Sequence, residues 1–127
     1  MAATTHETPH ETRTPHETMT EYFRAWRDGD HDALRAVLAD DVDFVGAMGA
    51  VTGGDAAAEA LMGLARITKD VVVQRMHAEG EHVITWFDLY TTVGPDPLPV
   101  ANWTRVRDGR ARRIRVTFDP RPLLTPS

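Results

Sequence analysis

The second half of the chain is dominated by a two-residue alternation of apolar and polar side chains. After Thr68 four segments carry it, namely VVVQRMHA, HVITWFDLYTTV, VANWTRVR and RRIRVTF. A Glu-Gly-Glu turn, a proline-rich loop over residues 94–99 and an Asp-Gly turn at Asp108 separate them. Because a period of two is typical of strands with one buried face, this half predicts a mainly antiparallel sheet.

The first half shows helical periodicity instead. Thr18 and Glu21 predict a capping box, and the helix that follows has an aromatic face and ends at the Asp-Gly-Asp sequence of residues 28–30. The last aspartate of that sequence and Asp55 are predicted N-caps of two further helices. VDFV at residues 42–45 alternates like a strand, and GAMGAVTGG after it reads as flexible. Three helices ahead of a sheet predict an α+β fold with the helices on one side.

The N-terminal segment has a different composition. His-Glu-Thr recurs at His6, His10 and His16 with prolines between, and HETPH fits the zinc-binding pattern H-E-x-x-H. That pattern needs a helix to bring its two histidines onto one face, and Pro9 lies inside the helical step. We therefore reject a metalloprotease site, expect no metal, and predict a disordered tail over residues 1–18 and a single domain over residues 19–127.

Composition excludes several classes of function. A hydrophobic fraction of 42% and a charged fraction of 26% are ordinary for a soluble globular domain, and a net charge of −5 argues against nucleic-acid and membrane partners. The absence of cysteine excludes disulfide scaffolds and thiolate sites, so a cytoplasmic location is expected. No ligand cluster or phosphate-binding glycine loop is visible in the folded part, so no cofactor is expected.

Strand parity divides the side chains of the last three segments between two faces, since successive side chains point to opposite sides of a sheet. One face is almost wholly apolar, whereas the other mixes aromatic side chains with arginines and an aspartate. Burying unpaired arginines is costly, so the apolar row should face the interior. That row comprises Val83, Thr85, Phe87, Leu89, Asn102, Thr104, Val106, Ile114, Val116 and Phe118.

The mixed row is predicted to form an interface. Tryptophan, tyrosine and arginine are the residue types enriched at protein interfaces, so the sequence predicts a homodimer through this face. The residues expected in the interface are Trp86, Tyr90, Trp103, Arg105 and Arg115.

Four stretches together resemble a known superfamily. YFRAWRDGDHDALRAVLADDVDFVG, the TGGDAAAEAL helix start, AEGEHVITWFDLYTT and RVRDGRARRIRVTFD are similar to the nuclear-transport-factor-2-like superfamily, and most closely to its SnoaL-like branch, over about residues 19–120. The resemblance implies a cone in which a strongly bent sheet wraps an apolar cavity capped by helices, commonly in a dimer. Members include ketosteroid isomerases, polyketide cyclases, epoxide hydrolases, dehydratases and non-catalytic binding modules, so function has to be argued from the pocket.

The ketosteroid isomerase pattern can be compared position by position. Tyr22 matches the tyrosine that donates to the developing oxyanion, and Asn102 matches the protonated aspartic acid beside it. The proton-shuttling aspartate of that pattern corresponds to Gly46, which has no side chain. Half of the expected catalytic apparatus is thus present and the base is missing.

The epoxide hydrolase pattern fits less well. It requires Arg-x-Asp at residues 87–89 and a further acid at Val116, where this chain has Phe-Asp-Leu and valine. Asp88 is a reserve catalytic acid if a β-bulge reverses its parity, and otherwise should pair with Arg105 or Arg115 across the outer face.

Two functions from different classes remain open, with an epoxide hydrolase-like activity as a disfavoured third. The first is an enzyme in which Tyr22 and Asn102 polarise an apolar carbonyl or polyketide-type substrate for cyclisation, isomerisation or dehydration. The second is a binding module for a hydrophobic small molecule. Gln74 is expected either to orient the ligand or to satisfy a backbone group. The residues expected to contact the ligand are Trp26, Phe44, Met48, Met62, Gln74, Phe87, Leu89, Thr104, Val116 and Phe118.

Overall fold

The computed structural model of the chain describes residues 13–124, in which helices and strands build one curved six-stranded sheet covered by helices. This architecture confirms the predicted α+β class. In chain order the elements are α1 (Pro15–Arg27), α2 (His31–Ala36), β1 (Leu38–Gly46), β2 (Gly49–Thr52), α3 (Gly54–Ala65), β3 (Thr68–Glu79), β4 (His82–Thr91), β5 (Leu98–Arg107), β6 (Arg110–Thr117) and α4 (Arg121–Leu124).

The strands lie in the order β2-β1-β6-β5-β4-β3. All neighbouring pairs are antiparallel except β1 and β6, which are parallel. The four strands after α3 follow one another through short turns, as the sequence predicts. The last strand, β6, lies beside the first strand, β1. Helices α1 and α3 both pack on the same face of the sheet.

Helix α1 begins one turn earlier than the sequence predicts. Thr14 is the N-cap: its Oγ1 accepts a hydrogen bond from the Glu17 backbone nitrogen at 3.0 Å, and Glu17 Oε1 accepts one from the Thr14 backbone nitrogen at 2.8 Å. The predicted capping box at Thr18 and Glu21 is therefore wrong. Both pairs have the same spacing, but only Thr14 is followed by a proline at the first helical position, where proline is favoured.

The start of α1 moves the boundary of the N-terminal tail. Residues 15–18 are helical, so the domain begins before residue 19, and Thr18 is buried inside the helix with its hydroxyl donating to the Thr14 carbonyl oxygen at 3.0 Å. Residues 1–12 of the predicted tail, including the HETPH sequence at residues 6–10, lie outside the described residues.

The predicted end of α1 and the predicted start of α2 are confirmed, and the predicted start of α3 is not. Asp28 is the C-cap of α1, and Asp30 caps α2 by accepting from the Ala33 backbone nitrogen at 3.1 Å. Helix α3 starts from Gly53, whose φ of 103° lies in the left-handed region that favours glycine. Asp55 lies in the first turn of α3 instead of capping it.

Strand β1 is longer than the VDFV segment that predicts it. The strand begins at Leu38 and continues through Asp40 and Asp41, whose side chains are exposed at an irregular stretch of the pairing with β6. The following GAMGAVTGG segment, which reads as flexible, forms the β1–β2 hairpin with Gly46 opposite Gly49. The sequence does not predict β2, because the glycines interrupt the apolar–polar alternation on which strand prediction depends.

The predicted parity of the last three strands is confirmed. Phe87 is 1% exposed and Asn102 is 2% exposed, whereas Trp86 and Trp103 on the opposite face are both 49% exposed. The antiparallel register pairs Thr85 with Asn102, so the buried rows of β4 and β5 continue into each other. The inner face of the sheet therefore carries the candidate site.

Candidate functional site

A cavity of about 270 Å³ lies between the inner face of the sheet and helices α1 and α3. Its wall is almost wholly apolar. Seven of the predicted ligand-contacting residues lie in that wall, namely Trp26, Phe44, Met48, Phe87, Leu89, Val116 and Phe118. They come from α1, from β1 and the β1–β2 turn, from β4, and from the end of β6. Because these elements are far apart in the chain, only folding brings the seven residues together.

Tyr22 and Asn102 are polar residues in this apolar wall, and they meet there. Tyr22 projects from α1 and Asn102 from β5, and their side chains are hydrogen-bonded to each other. Burial raises the pKa of Tyr22 far above its ordinary value, and the hydrogen bond with Asn102 only partly opposes this rise. Tyr22 is therefore a neutral phenol at physiological pH and can donate its proton in a hydrogen bond.

Thr104 lies behind Asn102 and not in the cavity wall. Its Oγ1 donates to Asn102 Oδ1 at 2.6 Å, and both residues belong to the buried row of β5. This bond occupies the amide oxygen of Asn102 and directs the amide nitrogen, a donor, away from Thr104. Thr104 is therefore not among the residues that line the cavity, because its hydroxyl is used to hold Asn102.

Trp26 contributes its indole ring to the wall, and the nitrogen of that ring is buried and not exposed to the cavity. Its side chain is 3% exposed, and its ring packs edge-on against Phe87 with the ring centres 5.7 Å apart. The indole Nε1 is buried and has no hydrogen-bond partner among the described residues. A buried donor left unpaired costs about 1–3 kcal/mol, so this nitrogen lowers the stability of the fold.

Gln74 and Asp88 do not reach the cavity. Strand β3 carries a bulge at Gln74, since Val73 pairs with Phe87 and Arg75 pairs with Trp86. The bulge turns Gln74 to the outer face, where its Nε2 donates to Asp88 Oδ2 at 3.0 Å. Both site predictions are therefore corrected: the bulge lies on β3 and not on β4, so Asp88 keeps its outward parity and pairs with Gln74 instead of an arginine.

Met62 also lies outside the wall. Helix α3 contributes Ala60, Leu61 and Leu64 to the cavity, a stripe that recurs at helical spacing. Met62 is one residue beyond Leu61, which is a rotation of about 100° around the helix axis. It packs against the hydrophobic core instead and does not line the cavity.

The position that matches the catalytic base of ketosteroid isomerases is occupied by Gly46, which has no side chain. Gly46 lies in the cavity wall at the end of β1, and the described wall contains no carboxylate, histidine, lysine or arginine. The acid positions of the epoxide hydrolase pattern are filled by apolar wall residues, including Leu89 and Val116. Within residues 13–124 no group of three or more potential metal ligands occurs.

Comparison with known proteins agrees with this geometry. Residues 19–114 match the SnoaL-like domain family. The chain belongs to this family. Its fold is that of the nuclear-transport-factor-2-like superfamily, of which the SnoaL-like domains are a branch. No characterised protein matches the sequence of the chain at significant similarity.

Solved structures with the same fold include proteins of several kinds. A protein from Kribbella flavida is 26% identical, with a TM-score of 0.80 over 84% of this SnoaL-like chain and 88% of the other. An NTF2-like protein of unknown function from Cytophaga hutchinsonii is 23% identical, with a TM-score of 0.76 over 88% and 96% of the two chains. An LEH-like epoxide hydrolase from Mycobacterium tuberculosis is 22% identical, with a TM-score of 0.73 over 91% and 88%. The last two likenesses show the fold alone.

Part of the cavity wall of this SnoaL-like domain escapes sequence reasoning. The β1–β2 hairpin supplies Ala47, Ala50 and Val51, and α3 supplies the stripe that includes Leu61 and Leu64. The helical stripe is visible in the sequence, but nothing there says that it faces a cavity and not solid core. The hairpin residues are small and lie among glycines, so their alternation is too weak to place them.

The outer face of the SnoaL-like sheet carries the predicted mixed row. Trp103 Nε1 donates to His82 Nδ1 at 3.0 Å, and Arg105 pairs with Glu81 at 2.9 Å. Arg115 pairs with Asp43 at 2.9 Å. Hydrogen bonds from Arg107 and Arg105 lower the pKa of Glu81.

None of the described helices is both long and apolar enough to cross a membrane.

Proposed function

We propose that this SnoaL-like domain binds a small, largely apolar carbonyl compound and polarises its carbonyl oxygen with Tyr22 and Asn102, promoting cyclisation, isomerisation or dehydration. The observation that carries the proposal is the pair of hydrogen-bond donors at the wall of an otherwise apolar cavity. Such donors stabilise negative charge on oxygen far better in an apolar, water-excluding site than in water.

The protonation states of the two donors suit this role. Burial keeps Tyr22 neutral, so it can donate to an oxygen that becomes negative during the reaction. The amide of Asn102 is a donor at every pH, and its orientation is held by Thr104. The donors are therefore organised before a ligand arrives and need no rearrangement when charge develops.

A non-catalytic binding module is the second candidate, and one specific observation favours it. The described wall has no ionisable group that could accept a proton near neutral pH. A reaction in this cavity has to transfer its proton to water or to a group of the substrate itself. The same apolar wall, with Asn102 and Tyr22 orienting a carbonyl group, would serve equally well to bind and release a ligand unchanged.

The two candidates differ in what happens to hydrogens next to the carbonyl group. With α-tetralone as the probe, we would measure affinity by calorimetry and exchange of its α-hydrogens for deuterium by NMR. Tyr22→Phe and Asn102→Leu each keep the side-chain volume and remove the donor. If the wild type speeds exchange and both variants lose about tenfold or more in rate while affinity stays within a few-fold, the enzyme is supported. Exchange no faster than in solvent, together with weaker binding by the variants, would establish the binding module instead.

We also propose that two copies associate through the outer face of the sheet, defined by Trp86, Tyr90, Trp103, Arg105 and Arg115. Ile84, Trp86 and Trp103 are each about half exposed there. The face also carries both signs of charge, since Arg105 and Arg115 lie beside Glu81 and Asp43. A face that is apolar and holds both charges can match a second copy of itself across a two-fold axis.

Sedimentation velocity measures this association directly. Ile84→Glu should shift the protein to the monomer, because it places a charge in the middle of the apolar part of the face. Val93→Glu is the matched control, since Val93 is 50% exposed but lies beyond the end of β4. A wild-type protein that is monomeric at high micromolar concentration would refute the proposed dimer.

A further inference from the structure

A second pocket, of about 190 Å³, lies on the outer face of the sheet, on the side opposite the apolar cavity. It is open to solvent, since Trp103 is 49% exposed and the side chain of Arg105 is 43% exposed. Three guanidinium groups and one carboxylate lie in its wall, so the wall is positive on a chain whose net charge is −5. The residues of this outer pocket are Glu81, His82, Trp103, Arg105, Arg113 and Arg115.

Strand register places two of the arginines directly opposite each other. Arg105 on β5 pairs with Arg113 on β6, and the next pair on the same face is Trp103 with Arg115. Like charges directly opposite each other on neighbouring strands are destabilising, because their Cβ atoms are only about 4.5–5.5 Å apart. The β5–β6 pairing therefore holds two positive charges together at the surface of an open pocket.

The neighbouring carboxylates do not neutralise Arg113. Glu81 accepts a hydrogen bond from Arg105 Nε at 2.9 Å. Asp43 lies opposite Arg113 in the β1–β6 register, but its carboxylate accepts from Arg115 at 2.9 Å. The side chain of Arg113 has no ion pair within the part of the chain that the structure describes. An anion from solution can supply the missing countercharge.

Trp103 gives the same pocket a flat apolar surface. Its Nε1 donates to His82 Nδ1 at 3.0 Å, and the two ring centres lie 5.8 Å apart. This bond fixes the indole ring and leaves the proton of the neutral imidazole on His82 Nε2. A fixed aromatic ring beside guanidinium groups suits a ligand that combines a flat ring with an anionic group.

From these contacts we infer that the outer pocket binds a phosphate group carried on a flat apolar ring. The phosphate oxygens accept from Arg113 and from its neighbours Arg105 and Arg115, and the ring of the ligand packs against Trp103. Guanidinium groups pair with phosphate in a bidentate manner. A phosphate monoester carries a charge of about −1.5 to −2 at pH 7, which matches the excess of arginines over carboxylates in the wall better than a singly charged carboxylate does.

The outer pocket is separate from the apolar cavity, so this inference does not depend on the function proposed there. It does share Trp103, Arg105 and Arg115 with the face proposed for the dimer. Binding is therefore measured on the full chain at low protein concentration, where a second copy competes least for these residues.

Three probes in a phosphate-free buffer test the inference by tryptophan fluorescence. Phenyl phosphate carries both the ring and the dianion, inorganic phosphate lacks the ring, and benzoate has the ring but a single charge. Phenyl phosphate should bind more tightly than either of the other two. Failure of phenyl phosphate to bind, or an affinity no higher than that of benzoate, would overturn the inference.

Arg113→Gln should weaken binding of phenyl phosphate about tenfold or more, as expected for the loss of hydrogen bonds from a charged group. The variant should be at least as stable as the wild type in urea, because it removes a like-charge repulsion, so lost binding would not reflect unfolding. Arg75→Gln is the matched control: it removes the same charge from an exposed arginine of β3 outside the pocket, and should leave the affinity within twofold. Equal weakening by the two substitutions would show an effect of net charge alone and would refute the site.

Discussion

Thr104 Oγ1 lies 2.6 Å from Asn102 Oδ1, and this hydrogen bond determines which end of the Asn102 amide is presented to Tyr22. Both residues are fully or almost fully buried, so no solvent competes for the bond. Thr104 thus acts through Asn102 as a positioning residue.

Replacing Thr104 separates positioning from packing. Thr104→Val keeps the shape and removes the hydroxyl, leaving Asn102 Oδ1 without its partner, so we expect a stability loss of about 1–3 kcal/mol and weaker binding of α-tetralone. Thr104→Ser retains the hydroxyl and should restore the affinity despite a small loss of packing. Urea unfolding and calorimetry measure the two effects. An affinity that is unchanged in Thr104→Val would show that Asn102 does not need Thr104 for its orientation.

Gly46 marks the place where a base can be added. A Cβ atom there would lie 3.0 Å from Phe44 Cε1, so the Phe44 ring has to move by a few tenths of an ångström to admit a side chain. We expect Gly46→Asp to increase the rate of deuterium exchange into bound α-tetralone roughly 100-fold, which is typical of a positioned general base. Gly46→Ala controls for the packing change and should not increase the rate. A folded Gly46→Asp variant with wild-type exchange would mean that this position does not face the α-hydrogens of the ketone.

Two glycines of α3 should respond in opposite directions to alanine. At Gly54 a Cβ atom would press into the guanidinium of Arg35, which is held by the Leu38 carbonyl oxygen, Asp40 and Asp55. At Gly63 a Cβ atom would meet nothing within 4 Å. Gly54→Ala should therefore destabilise the domain by about 1–3 kcal/mol, and Gly63→Ala should stabilise it by about 0.5–1 kcal/mol.

Thermal or urea unfolding of the two alanine variants measures this contrast. Both substitutions add the same methyl group to one helix, but Gly54 is its first residue and Gly63 lies in its interior, so the difference reports the contact with Arg35 plus a helix-propensity gain at Gly63 of at most about 1 kcal/mol. Equal stabilities of the two variants would show that Arg35 moves aside at little cost.

Acid should remove the stabilising effect of Glu21. Arg24 donates to both carboxylate oxygens of Glu21 at 2.8 Å, and this hydrogen bonding lowers the pKa of Glu21 below its ordinary 4.5. A carboxyl whose pKa is lowered by folding stabilises the protein fully above its unfolded pKa and loses that effect as pH falls through the folded value. The contribution is present at pH 7 and should be lost progressively below about pH 4.5.

The variant Glu21→Gln isolates this effect. It should cost about 0.5 kcal/mol at pH 7, as for a surface ion pair, and progressively less as the pH falls below 4. Unfolding in urea at several pH values gives the difference directly. Glu79→Gln is the control, since no ion pair of Glu79 occurs in the described part of the chain and the substitution removes a surface carboxylate without breaking a bond to an arginine. A cost for Glu21→Gln that stays constant down to pH 3 would contradict the prediction.

Much of the fold could be predicted because its signals are local. Alternation along β4 separates Phe87 from Trp86 by one residue, and burial of the apolar row leaves only one way to place the two faces. The errors arise where two local signals compete. Thr14 and Thr18 are each followed three residues later by a glutamate, which is the spacing of a capping box. Pro15 favours Thr14 as the N-cap, because proline is preferred at the first position of a helix. Asp55 has the chemistry of a cap, but the conformation of Gly53 starts the helix earlier.

The amino-acid sequence alone determined the α+β class, the inward row of the sheet and the absence of a side chain at Gly46, because each depends on residue type and short-range periodicity. The tertiary structure alone decided that Tyr22 and Asn102 meet, that Gln74 turns outward at a bulge, and that Trp26 Nε1 is left unpaired. Those outcomes depend on strand register and on the packing of α1 against the sheet. Both are set by contacts between residues far apart in the chain, so no local pattern records them.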